Sequence, residues 1–196
     1  MIRTLTAVRA LSRLGVWVGG FLLFGASFFI GIDVLLRKLF AISISGANEL
    51  SQYALAISTA FALSYALFHK AHIRVDVLYS RLSDRAQSFL DLLSLVMMLL
   101  FMGPLSYYAF GVFQTSLERD SMANTPLATP LWIPQGLWAL GLAFFTFTVA
   151  LILIATARFL LRGDLIAAQE LASATTMDEE IEVESGIRVV EDVHDR

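Results

Sequence analysis

Four stretches of this chain, residues 14–32, 50–68, 92–117 and 132–157, contain no Asp, Glu, Lys or Arg, and each is at least 19 residues long. A helix needs about 20 apolar residues to cross a hydrocarbon core of ~30 Å. The runs therefore predict an all-α integral membrane protein with four transmembrane helices, at about residues 14–36, 47–68, 86–117 and 132–158.

Hydrophobic residues make up 57% of the 196-residue chain, and its mean hydropathy is +0.71. Soluble proteins use roughly 45–50%. The spans absorb nearly all of the apolar residues, so no second globular domain is expected. The chain has no Cys, which excludes disulfides, thiolate nucleophiles and cysteine-ligated metals. The formal charge of −3 averages two regions. Residues 163–196 hold ten acids against Arg188 and Arg196, whereas residues 1–162 hold twelve Lys and Arg against seven Asp and Glu. The expected organisation is a membrane domain over 1–162 and an acidic, disordered tail over 163–196, with a helical start around 165–172. Arg3, Arg9 and Arg13 ahead of the first run imitate a secretory signal. That run exceeds the 7–15 residues of a signal core and no small-x-small cleavage site follows, so it reads as a retained span.

Orientation follows from Lys and Arg near the span ends. Arg3, Arg9, Arg13, Lys70, Arg74, Arg81, Arg85, Arg158 and Arg162 fall on one side; Arg37, Lys38 and Arg119 fall on the other. Nine against three places both termini in the cytoplasm.

The connections are short. Asp33 and Arg37 are spaced to pair on one helix face. Ser45 or Asn48 can cap span two, and Glu49 lies in its first turn, where the helix dipole favours a carboxylate. The tight hairpin between spans one and two brings Arg37 near Glu49, and an Arg37–Glu49 ion pair is expected, with Lys38 as a rival partner. After span two, Val75, Leu78, Tyr79 and Leu82 recur at helical spacing among charged residues. They predict a short interfacial amphipathic helix at about 73–83. Asp84 and Gln87 have capping-box spacing for span three. Residues 85–117 as one helix would extend ~50 Å, so span three should tilt, kink at Pro104 or project beyond the bilayer. Trp132 and Trp138 anchor span four at the interface.

His69, His72 and Asp76 could share a helix face for a metal, but a closed site needs more ligands than this, and the bland reading is a polar end to span two. Asp33 and Glu49 are the acids nearest the membrane. Both fall at outer span ends, where structural pairing competes with proton or ion coupling. Ser58, Thr59, Ser64, Ser94, Ser106, Thr146 and Thr148 read as helix-packing residues. No nucleophile–base pair or nucleotide motif is present, so no enzymatic activity, cofactor or nucleic-acid partner is expected.

Residues 37–82 resemble the small, four-span, DctQ-like membrane subunit of tripartite ATP-independent periplasmic (TRAP) transporters. The resemblance rests on Arg37 and Phe40, on Gly46 with Glu49 and Leu50, and on His72, Ile73, Val75, Asp76 and Leu78. A second block, Pro130, Trp132, Ile133, Pro134, Gln135 and Gly136, adds to it, and the likeness extends over about residues 10–162. Asn48 stands where many members carry a second acid, Lys70-Ala71 replaces the commoner basic-x-Gly, and Ala139 lies where a proline often precedes the glycine, here Gly141. The resemblance implies a subunit of the bacterial inner membrane that enlarges the scaffold of a large, sodium-coupled transport subunit for an organic acid or related solute. It also implies a periplasmic substrate-binding protein as partner. Arg37, Glu49, His72, Asp76, Trp132, Pro134 and Gln135 become interface candidates, and Glu118, Arg119, Asp120 and Asn124 become docking candidates for the periplasmic protein. Two other readings stay open: a stand-alone homodimeric carrier coupled through Asp33 or Glu49, and a membrane anchor for an unrelated complex.

Overall fold

In the computed structural model, residues 2–69 and 82–164, together with 167, 168 and 171, are described. They form four helices: α1 (Ile2–Phe40), α2 (Ala47–Phe68), α3 (Asp84–Glu118) and α4 (Trp132–Leu161). All four are long and apolar enough to cross a membrane. Helix is the form that satisfies every backbone N–H and C=O within its own segment, as a lipid surrounding requires.

The helices overrun the bounds the apolar runs suggested. α1 has 39 residues and begins at the N-terminal arginines rather than at residue 14, giving ~58 Å of helix. Charged side chains end an apolar run without ending a helix, because Arg and Lys are good helix formers that reach toward water. α3 has 35 residues, ~52 Å, and remains helical through Pro104. Capping also differs from expectation. The N-cap of α2 is Gly46, in the left-handed region, with no side-chain cap. That of α3 is Ser83, and Gln87 Nε2 donates back to the Leu82 carbonyl at 3.1 Å. Leu82 and Ser83 are not helical, and the rest of the expected interfacial helix lies outside the described residues. Past α4, Ala167, Ala168 and Leu171 are helical, with Asp164 Oδ1 accepting from the Ala167 amide at 3.1 Å. A helical start to the tail is thus present; its remainder lies outside the described residues.

The packing is a row, not a closed bundle. α1 lies along α2, α3 lies along α4, and α2 meets α4 in the middle, while α1 only grazes α4. The central α2–α4 contact is close because small residues face each other. A Cβ added at Gly141 would come within 2.7 Å of Ala60 Cβ. The α3–α4 seam is heptad-like. Ser88, Leu95, Met102, Ala109 and Ser116 are buried at seven-residue intervals on α3, against Ala139, Leu142, Phe145, Val149 and Ile152 of α4. Seven-residue spacing keeps one stripe facing a partner helix that crosses at a shallow angle.

Candidate functional site

At the end of the row opposite the N-terminus, the α1–α2 loop and the α3–α4 loop meet in a polar latch. Asp33, only 2% exposed, closes the first loop. Its carboxylate accepts from Arg37 Nη2 at 2.6 Å, from the Ile44 amide at 2.6 Å and from Ser43 Oγ at 3.2 Å. α1 ends just beyond it with Ala41 in the left-handed region (φ 55°), and the Ile42 amide reaches back to the Leu36 carbonyl at 3.4 Å. That return closes the helix end through a left-handed residue other than glycine.

Glu49, 7% exposed in the first turn of α2, accepts from Tyr53 Oη at 2.8 Å and from Thr125 Oγ1. Thr129 adds a further side-chain hydrogen bond. The α3–α4 loop is folded back on itself to make this contact. Ala123 donates to the Thr129 carbonyl at 2.9 Å, Leu131 donates to that of Ser121 at 2.9 Å, and the turn between them passes through Ala128 at φ 46°. Leu127, at the tip, lies over Gly46. A Cβ on Gly46 would overlap the exposed Leu127 side chain, and its φ of 96° is one that side-chain-bearing residues avoid. The backbone conformation therefore favours glycine here, and any side chain would also displace that of Leu127.

The latch corrects one expectation. Arg37 bonds to Asp33 and Ser43, while Glu49 turns toward Tyr53 and the α3–α4 loop. Asp33 wins Arg37 because one helical turn places the two groups together before the chain has turned, at little further ordering cost. Lys38 and Arg37 are both exposed. Trp132 is exposed at the start of α4, Pro134 is buried, and Gln135 Oε1 is a buried atom without a hydrogen-bond partner among the described residues. Glu118, Arg119, Asp120 and Asn124 are all exposed around the α3–α4 loop. His72 and Asp76 lie outside the described residues. His69, at the opposite end, is stacked on Tyr65 with centroids 4.1 Å apart. No cluster of three or more metal-binding side chains occurs among the described residues.

Most of the packing hydroxyls act as expected. Ser58 Oγ donates to the Gly19 carbonyl at 2.8 Å, joining α1 and α2. Ser106 and Thr146 hydroxyls are 2.7 Å apart beside Pro104, joining α3 and α4. Thr148 bonds the Phe144 carbonyl at 2.8 Å, next to Ser64, whereas Thr59 faces outward. Several latch residues escaped the sequence reading, Ser43 and Thr129 among them. Tyr53 is four residues from Glu49 and was legible by helical spacing. Thr125 is 76 residues away, and no local pattern announces it. Asp91 was also missed. It borders the charge-free run that defined span three, yet it is buried well inside α3.

Four apolar helices with loop ends tied by buried acids define a polytopic membrane protein. A family model, that of the tripartite ATP-independent periplasmic transporters, DctQ component, matches residues 26–159. The match covers more than half of the 196 residues, and the chain belongs to this family. It is a small component of a TRAP transporter. Comparison with curated proteins and with solved structures returned no match.

Proposed function

We propose that the chain is the scaffold subunit of a sodium-coupled TRAP transporter for an organic acid or related solute, in the bacterial inner membrane with both termini cytoplasmic. In this reading residues 1–162 form the membrane domain, and a large membrane subunit carries the substrate and ion sites. The observation that supports it most is where the charge lies. Among the described helix residues, Asp33 and Glu49 stand at the loop end, and Asp91 stands toward the other end of α3. Between these levels the helix contacts are apolar or small, with hydroxyls spent on backbone and on one another. Transporters that bind solute themselves usually do so near the midplane, at broken helices with polar groups. The open row also leaves a partner face: α3 packs chiefly on α4, and Phe101, Tyr107 and Tyr108 point away from it.

The latch gives this scaffold its outer surface. Glu49 fixes the α3–α4 loop, and the fixed loop presents Glu118, Arg119, Asp120 and Asn124 to a soluble periplasmic partner. Arg37, Trp132, Pro134 and Gln135 shape the rim of the same surface. Reconstitution in liposomes under a sodium gradient tests the scaffold role. The chain alone should take up no carboxylate, while the chain with the large subunit and binding protein should. Uptake by the single chain would replace the scaffold with a carrier. Reversing Glu118 and Arg119 should raise the binding-protein concentration needed for half-maximal uptake; an unchanged requirement removes this loop from the docking surface.

A further inference from the structure

A groove of about 500 Å³ runs along the outside of the α1–α2 pair, lined by Arg13, Val16, Trp17, Gly20, Phe21, Phe24 and Tyr65. Its walls are aromatic and open, with Phe21 78% exposed. Its floor is Gly20, where an added Cβ would meet nothing within 4 Å. The groove is apolar along its length and cationic at one end. Positions 9, 13, 20 and 24 fall on one stripe of the helix, so Arg9 stands one turn beyond Arg13 on the same side. Tyr65 of the lining is in ring contact with His69, with centroids 4.1 Å apart. Partial burial lowers the pKa of His69, and the charges of Arg9 and Arg13 lower it further, as expected of cations gathered around one point. Neither arginine has an ion pair among the described residues, and like charges four apart on a helix repel. The acids nearest in α1 and α2, Asp33 and Glu49, are at the far end of both helices.

Depth identifies what such a groove can hold. Twenty residues separate Arg13 from Asp33, which is about 30 Å of helix and equals the hydrocarbon thickness of a bilayer. With Asp33 at one polar boundary, Arg13 lies at the other, and Arg9 lies among the headgroups. We infer that this groove binds an anionic phospholipid of the leaflet on the N-terminal side. Arg9 and Arg13 hold its phosphate, and one acyl chain lies over Gly20 between Trp17, Phe21, Phe24 and Tyr65. Two guanidiniums supply forked donors that match phosphate oxygens, and a net anion relieves their mutual repulsion. A zwitterionic lipid brings its own cation and leaves that repulsion in place.

The test is a lipid count on the purified complex of this chain with its large subunit, in micelles doped with equal phosphatidylglycerol and phosphatidylcholine. Native mass spectrometry reads the retained lipid. Phosphatidylglycerol should be retained in preference. Arg9→Gln or Arg13→Gln should weaken its retention about 5-fold, and the double variant roughly 30-fold. R9K/R13K should keep most of it. Gly20→Leu fills the groove and should reduce retention with both arginines in place. Because both arginines are exposed, the lipid-free melting temperature of the double variant should match that of the native chain, which separates lost binding from lost folding. Equal retention of the two lipids, or unchanged retention in R9Q/R13Q, overturns the inference. An empty groove combined with loss of the large subunit on Trp17→Ala also overturns it, since protein rather than lipid would then cover this face.

Discussion

The two helical hairpins are held together by different means. Between α1 and α2 the contact is a close approach of backbones. A Cβ on Gly19 would meet Ser58 Cα at 3.1 Å, one on Gly15 would meet Phe61 Cβ at 3.3 Å, and the Ser58 hydroxyl bonds the Gly19 carbonyl. Between α3 and α4 the contact is a stripe of large side chains, Leu95 and Met102 against Leu142, Phe145, Val149 and Ile152. In lipid no hydrophobic force drives helices together, because lipid tails are as apolar as leucine. Association must come from packing and polar contacts. A hairpin can reach it with small residues and short distances, or with interdigitated large ones. The central α2–α4 contact combines both: Gly141 lies on Ala60, and Thr148 lies beside Ser64.

Substitutions that distinguish these modes should differ in size. The largest effect is expected at Gly46, where the backbone is left-handed and the Leu127 side chain would have to move. Gly46→Val should cost about 4 kcal/mol from left-handed strain together with overpacking against Leu127. The visible result would be rapid proteolysis within the α3–α4 loop; a loop as resistant as that of the native chain would show that Leu127 moves aside at little cost. Next comes the central seam. Gly141→Leu should destabilise by about 3 kcal/mol, the upper end for overpacking, because the opposing atoms include the Ala60 backbone. Cross-linking between α2 and α4 should fall while that between α1 and α2 persists; equal loss at both seams would mean that the hairpins do not pack independently.

A smaller and more local effect is expected at the latch. Glu49→Gln and Thr125→Val should each loosen the α3–α4 loop, read as faster hydrogen exchange at the Ala123 and Leu131 amides. The double variant should be little worse than either single one, because both remove one shared contact. Additive effects would separate the two residues. If Glu49→Gln instead leaves the loop intact and alters sodium or proton coupling of the assembled transporter, Glu49 acts in transport chemistry. The smallest change belongs to the α1–α2 seam. Ser58→Ala should cost about 0.6 kcal/mol, typical of an interhelical hydrogen bond in a membrane protein. A cost several times larger in a denaturation series would show that the hydroxyl, rather than the glycine contact, holds this hairpin.

Sequence alone determined the number of helices and much of their placement, because an uncharged run of bilayer length has no other stable form in lipid. It also located the hydroxyls that join helices, as polar groups inside apolar spans, and the pairing of Asp33 with Arg37, which follows from spacing along one helix. The motif residues from Arg37 onward pointed to the family that the model match then established. Helix ends were less legible. Apolar runs mark where lipid begins, whereas α1 and α3 continue through charged residues for as long as backbone hydrogen bonds can be made. The tertiary structure alone decided that the helices form an open row, that Glu49 faces Thr125 rather than Arg37, and that Leu127 lies over Gly46. Each of those contacts joins residues far apart in the chain. The pattern of any one segment records only which face is apolar; the partner that covers it is chosen by how the hairpins meet.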